Sequence, residues 1–246
     1  MFMSRNRVEK RCESLLFRAV VMAILVTSMA VARAETRDLT PAEQVLVDRF
    51  VYVVGGVLDQ FRSDDWVENI NQTLDQPTTS VKPANPLQAG LLERTYNARP
   101  GSQRWNRLIE PYADVVEGGN ASPQAMAHAG DAMRPLMHVH VSATFNVPFS
   151  ALGMENGSEL KIPGVTRAFR DAHPTKYDEP GLVLLFSSEP GGRWVKAEGG
   201  LRFRFLSPPG AVVIENIEVR ISGAKDRVDE LQHAIDWRRV DAALGR

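Results

Sequence analysis

The chain has 246 residues, 43% of them hydrophobic, with 29 Lys+Arg against 30 Asp+Glu, a net charge of −1 and one cysteine, Cys12. The near-even charge argues against nucleic acid, whose phosphates call for a basic stripe. A lone thiol rules out an intrachain disulfide and a thiolate metal cluster.

Residues 1–34 have the parts of a secretory leader in order. Arg5, Arg7, Lys10, Arg11 and Arg18 precede an uncharged run from Ala19 to Val31, and Ala32-Arg33-Ala34 offers small residues at the two positions that a signal peptidase reads. The run is shorter than the roughly 20 residues of a membrane-spanning helix. Cleavage after Ala34 is expected. It removes Cys12 and leaves a mature chain of about 212 residues with net charge about −5. Cys12 lies ahead of the apolar run, so it cannot be the lipid-bearing first residue of a mature lipoprotein. The expected destination is the periplasm or the medium, with no membrane span once the leader is gone.

Thr40-Pro41-Ala42-Glu43 has the pattern of a capping box with proline at the first helical position. Apolar residues from Val45 to Phe61 at three- and four-residue spacing predict a helix over 41–61, weakened by Gly55-Gly56. Residues 63–101 are polar and proline-bearing and read as loop, with a short helix near Pro86 to Tyr96. A helix interrupted by Pro111 is expected over 103–116, and another from Ser122, its cap, through Met133.

The character changes at Pro135. Met137, Val139, Val141, Ala143, Phe145, Val147 and Phe149 alternate with His138, His140, Ser142, Thr144 and Asn146, which predicts a long strand with one buried and one wetter face. Residues 153–180 read as loop with a short helix at 165–172. Leu182 to Phe186 is apolar throughout and predicts a central strand covered on both faces. Short strands follow at 193–196, 201–205 and 212–221, separated by Gly/Pro turns. A helix over 226–244 closes the chain, with Gly245 as its cap.

The expected fold is α+β: an antiparallel β-sandwich, jelly-roll-like, in the C-terminal half, with N-terminal helices and a C-terminal helix. The expected organisation is a leader (1–34), a helical, loop-rich region (35–133), and the sandwich with its closing helix (134–246), the last two counting as one domain if they share a core.

His138 and His140 are the first functional candidates. Two apart on a strand, their imidazoles point to one face and could give two nitrogens to zinc or copper, provided that another ligand joins them. His128, His173, Asp131, Asp171 and Asp178 are available in the sequence. Without a metal, the pair belongs to the polar face of a half-buried strand. No serine sits in a Gly-x-Ser-x-Gly turn. The adjacent acids Asp64-Asp65 and Asp178-Glu179 do not predict a glycosidase pair, which needs a set separation across a cleft. Catalysis is therefore not the favoured expectation. Aromatic rings beside polar side chains can stack on a sugar or anchor a protein. Trp105, Trp194 with its neighbour Arg193, and Tyr177 are the candidate ligand contacts. Trp237, at helical spacing, is expected to pack on the sheet.

The stretch from Leu201 to Val219, with Ile214, Glu215, Asn216, Ile217 and Val219 after the Pro208-Pro209-Gly210 turn, resembles the closing strands of jelly-roll carbohydrate-binding modules. Those end in a hydrophobic-Asp-Asn-hydrophobic strand. The resemblance implies a sandwich fold more than a ligand, since a shared fold does not fix function. Glu215 stands where the family commonly has an aspartate that helps to bind a structural calcium, so calcium is not implied. The expected function is that of an exported, non-catalytic envelope binding protein for a polysaccharide. The alternatives are an envelope structural or assembly protein with a protein partner, and a metal-dependent enzyme built on His138 and His140.

Overall fold

The computed structural model describes residues 39–69, 87, 91–113, 122–152, 158–171, 181–188 and 193–245. The leader, Cys12, His173, Tyr177 and Asp178-Glu179 lie outside the described residues. What is described belongs to one compact unit spanning Thr36–Arg246.

Helix α1 (Pro41–Leu58) starts on the expected capping box: Thr40 Oγ1 accepts from Glu43 N, and Glu43 Oε2 accepts from Thr40 N at 2.7 Å. A 3-10 turn (Asp59–Phe61) ends it. After it come β1 (Trp66–Glu68), β2 (Leu91–Ala98), α2 (Gln103–Ile109) with its 3-10 extension (Glu110–Tyr112), α3 (Pro123–Met137) and β3 (His138–Phe145). The rest is β4 (Phe149–Ala151), β5 (Glu159–Leu160), β6 (Arg167–Asp171), β7 (Gly181–Ser187), β8 (Trp194–Ala197), β9 (Gly200–Phe203), β10 (Asn216–Gly223), α4 (Lys225–Ala234) and a 3-10 helix (Trp237–Ala243).

The fold is α+β and sandwich-like, with two unequal layers. A seven-stranded antiparallel sheet runs β1-β2-β3-β10-β7-β6-β5, and a three-stranded sheet runs β4-β9-β8. β1 and β2, from the expected N-terminal region, pair into the sheet that β3 and β10 centre, and the expected boundary at 133/134 falls inside α3. On one face of the large sheet, Val139, Val141, Ala143 and Phe145 meet Phe50, Val54 and Leu58 of α1, Leu231 of α4 and Trp237. On the other face, at the β6–β7 end, Phe169, Val183 and Leu185 meet Trp194, Leu201 and Phe203 of the small sheet. β7 is therefore buried along its whole length, as its unbroken apolar run requires.

Four expectations are corrected. The short helix near 86–96 is strand β2. Its inward side is Leu92, Arg94 and Tyr96, and the arginine hid the alternation. Arg94 is buried because its guanidinium bonds Asp59 Oδ1 at 2.8 Å and Gly55 O at 3.3 Å. The helix at 165–172 is strand β6, where Ala168 enters one core and Phe169 the other. The long strand over 137–149 is broken at Asn146, which takes φ 53°, a value asparagine tolerates better than most residues. The helix over 226–244 breaks at Ile235, whose backbone is extended (φ −93°, ψ 135°). The break lets Ile235 and Trp237 both reach the main core.

Asn146 redirects the chain from the large sheet to the small one, and Asn216 answers it across the gap. Asn146 Nδ2 donates to Leu87 O and Val213 O at 2.8 and 2.7 Å, and its Oδ1 accepts from Glu215 N at 2.8 Å. Asn216 Oδ1 accepts from Val147 N at 2.8 Å, and its Nδ2 donates to Val147 O at 3.2 Å. Both amides are fully buried, so each bond replaces water that is unavailable there.

Candidate functional site

The small sheet covers only part of the large sheet's second face. β10 marks the border. Arg220 Nη2 donates to Ala151 O at 2.7 Å and lies 3.3 Å from Ser150 Oγ, both on β4. Its Nε and Nη2 also bond Glu218 at 2.6 and 3.2 Å.

Beyond that border the side chains are mostly polar, with the exposed Val67 of β1 beside Asn97. The registers place them in rows across three strands. Asn97 faces His138; Thr95, His140 and Ser222 form the next row; then come Glu93, Ser142 and Arg220; and Thr144 stands beside Glu218. Thr95 Oγ1 and His140 Nδ1 are 3.2 Å apart, so a hydroxyl on one strand is tied to an imidazole on the next. Most of these side chains are half-buried; Thr95 and Glu218 are buried. Together they form a platform of hydroxyl, amide, imidazole and carboxylate groups on a rigid backbone. Such a surface can donate to and accept from a ligand rich in hydroxyls without first ordering itself.

The pair His138 and His140 thus lies on the middle strand of the platform, with His138 in its end row. Its other half was missed in the sequence. Glu93, Thr95 and Asn97 come from β2, and their alternation with Leu92, Arg94 and Tyr96 was the available signal. Among the described residues, no group of three or more His, Cys, Asp or Glu side chains is arranged to hold a metal ion. His128 and Asp131 are exposed on α3.

Arg193 and Trp194, the expected ligand contacts, are both buried in the fold. Trp194 is 4% exposed and packs edge-on against Phe203, with ring centroids 4.9 Å apart. The Arg193 guanidinium pairs with buried Glu215, bonds Ser188 Oγ at 2.6 Å and lies over the Phe203 ring. Glu215 also accepts from Leu206 N at 3.0 Å and Ser207 N at 2.8 Å. The Glu215-Asn216 pair that suggested a carbohydrate-binding module is a clasp between the layers, its carboxylate occupied by protein donors. Burial acts to raise the Glu215 pKa. The N–H groups of Leu206 and Ser207, the Ser207 hydroxyl and the Arg193 guanidinium outweigh it and hold the carboxyl below the usual carboxylate range.

Trp105 is half-buried in the first turn of α2, where Ser102 Oγ accepts from its N–H at 3.1 Å. It is on a helix, not on the sheet that carries the histidines. Its neighbour Arg104 pairs with Asp226 and lies 4.6 Å from the centroid of the buried Trp66 ring, which fixes α2 against the start of α4.

Comparison with protein-family models, with curated proteins and with solved structures finds no match for the chain.

Proposed function

We propose that the protein is an exported, non-catalytic binding protein of the cell envelope, and that its ligand is a polysaccharide segment held on the polar platform of β2, β3 and β10. One observation carries this reading: among the described residues, helices pack on one face of the sheet and the small sheet on half of the other, while the remaining half carries hydrogen-bonding groups in register. Sugar hydroxyls pair with such groups. The export leader and the absence of a recognisable nucleophile or paired-acid motif in the sequence support binding over catalysis.

Calorimetric titration of the mature chain, residues 35–246, with a panel of soluble glycans tests it. A saturable response to one glycan is expected. It should fall at least tenfold in His140→Ala and Asn97→Ala, and survive Trp105→Ala. A response that ignores both platform substitutions would sink the assignment.

A protein partner is the second reading. Val45 and Tyr52 are 68% and 83% exposed, seven residues apart on the outer side of α1, a pairing suited to packing against a partner helix or sheet. Cross-linking in the native host, compared with Val45→Ser/Tyr52→Ser, distinguishes it from the first.

A further inference from the structure

The outer face of the three-stranded sheet has a different chemistry from the platform. Phe149, Arg202 and Val195 stand in one row across β4, β9 and β8. The inward residues Leu201, Phe203 and Phe205 belong to the second core, so the alternating Arg202, Arg204 and Leu206 point outward. Leu206 is 70% exposed and Phe149 39%, and both arginines are exposed. The ladder continues past the strand through Arg204 N, which donates to Arg193 O at 3.0 Å, so this stripe is held in extended form.

Among the described residues neither Arg202 nor Arg204 has a hydrogen bond or a salt bridge from its side chain, whereas most other arginines of the fold are paired. The remaining described positions on this face are Ala151, Gly200 and Ala197; the nearest carboxylate in sequence is Glu198, in the β8–β9 turn. The face thus offers apolar groups and unpaired cations, without the hydroxyl, amide and carboxylate groups that pair with sugar hydroxyls.

We infer that this face docks on an anionic phospholipid surface, with Leu206 and Phe149 entering the headgroup boundary and Arg202 and Arg204 pairing with lipid phosphates. Charge complementarity selects the occupant: two arginines, two residues apart on one extended segment with Cα atoms about 6.6 Å apart, meet a surface with phosphates at every headgroup, and among the described residues no acidic side chain stands on the face. Isolated side chains of this kind give reversible, salt-sensitive attachment, not insertion. This inference does not depend on what the platform binds.

Co-sedimentation of the mature chain, residues 35–246, with phosphatidylglycerol/phosphatidylcholine vesicles, and with phosphatidylcholine vesicles alone, is the experiment. Binding to the anionic vesicles only is expected, weakening as salt is raised. Each of Arg202→Gln and Arg204→Gln should lower the partition coefficient about fivefold, and the pair about 25-fold. Leu206→Ser, at an exposed position, should lower it without moving the urea midpoint. His140→Ala should leave it unchanged, which separates this test from that of the platform. The inference is overturned if anionic vesicles are not bound, or are bound equally by the double arginine variant. It is also overturned if the face binds a soluble acidic polysaccharide in place of vesicles, or if the same substitutions break a dimer of the chain that ignores lipid.

Discussion

Arg193 and Glu215 form a buried ion pair that ties the entry of β8 to the entry of β10, and through the N–H groups of Leu206 and Ser207 the same carboxylate fixes the chain leaving β9. Three segments of two sheets therefore share one carboxylate. Removing it leaves a guanidinium buried without its counter-charge. Glu215→Ala is expected to cost about 3–5 kcal/mol. Glu215→Leu combined with Arg193→Met should recover much of that loss. Urea denaturation of the single and double variants checks the ordering.

The same carboxylate makes the fold acid-sensitive. Its folded-state pKa is depressed, so its stabilisation is fully present above its unfolded-state pKa and is lost as pH falls through the folded value. Glu159, held down chiefly by its bond to Arg167, and Asp226, held down chiefly by Arg104, act in the same direction. The melting temperature should be level near neutrality and fall below about pH 4. Glu215→Gln should lower the plateau and flatten the acid limb; a limb of unchanged steepness would show that this group does not contribute.

Asn146 combines a left-handed backbone with an amide whose hydrogen bonds are all internal. Glycine keeps the backbone and loses the amide; alanine loses both. Asn146→Gly should cost about 1–3 kcal/mol, and Asn146→Ala about 1–2 kcal/mol more. Equal losses would mean that the φ value contributes nothing.

Trp194→Ala empties the centre of the second core and is expected to cost about 3–5 kcal/mol. At a temperature where the variant remains folded, glycan affinity should match the wild type, since the indole faces Phe203 rather than solvent. Thermal unfolding and calorimetry on the same samples separate the two effects.

Two glycines give opposite expectations. A methyl at Gly200 would overlap the carbonyl oxygen of Ser150 on the paired strand, so Gly200→Ala should part β9 from β4 and destabilise the small sheet. Gly130 lies within α3 with open space around it. Gly130→Ala should therefore stabilise the protein by about 0.5–1 kcal/mol. Thermal melts of both variants are the check.

What was legible in the sequence was local. Thr40 and Glu43 announced the start of α1, since a capping box needs only a turn of chain. The alternation from Met137 to Phe145 marked β3, and with it the side of the strand on which His138 and His140 stand. The unbroken apolar run of Leu182 to Phe186 required cover on both faces, and two cores on opposite sides of β7 supply it.

Tertiary structure decided the rest, because the deciding partners are remote in sequence. Arg94 reads as a surface residue until Gly55 and Asp59, more than 30 positions away, take up its charge inside the fold. Arg193-Trp194 reads as a polar-flanked ring until Glu215 draws the arginine inward and Phe203 covers the indole. The periodicity of β3 gave one edge of the platform. Only the pairing of β2 and β10 with it set Thr95 against His140 and Arg220 beside Ser142. Alternation is a property of one strand, whereas a surface needs a register, and register is fixed by contacts between strands that the chain brings together only on folding.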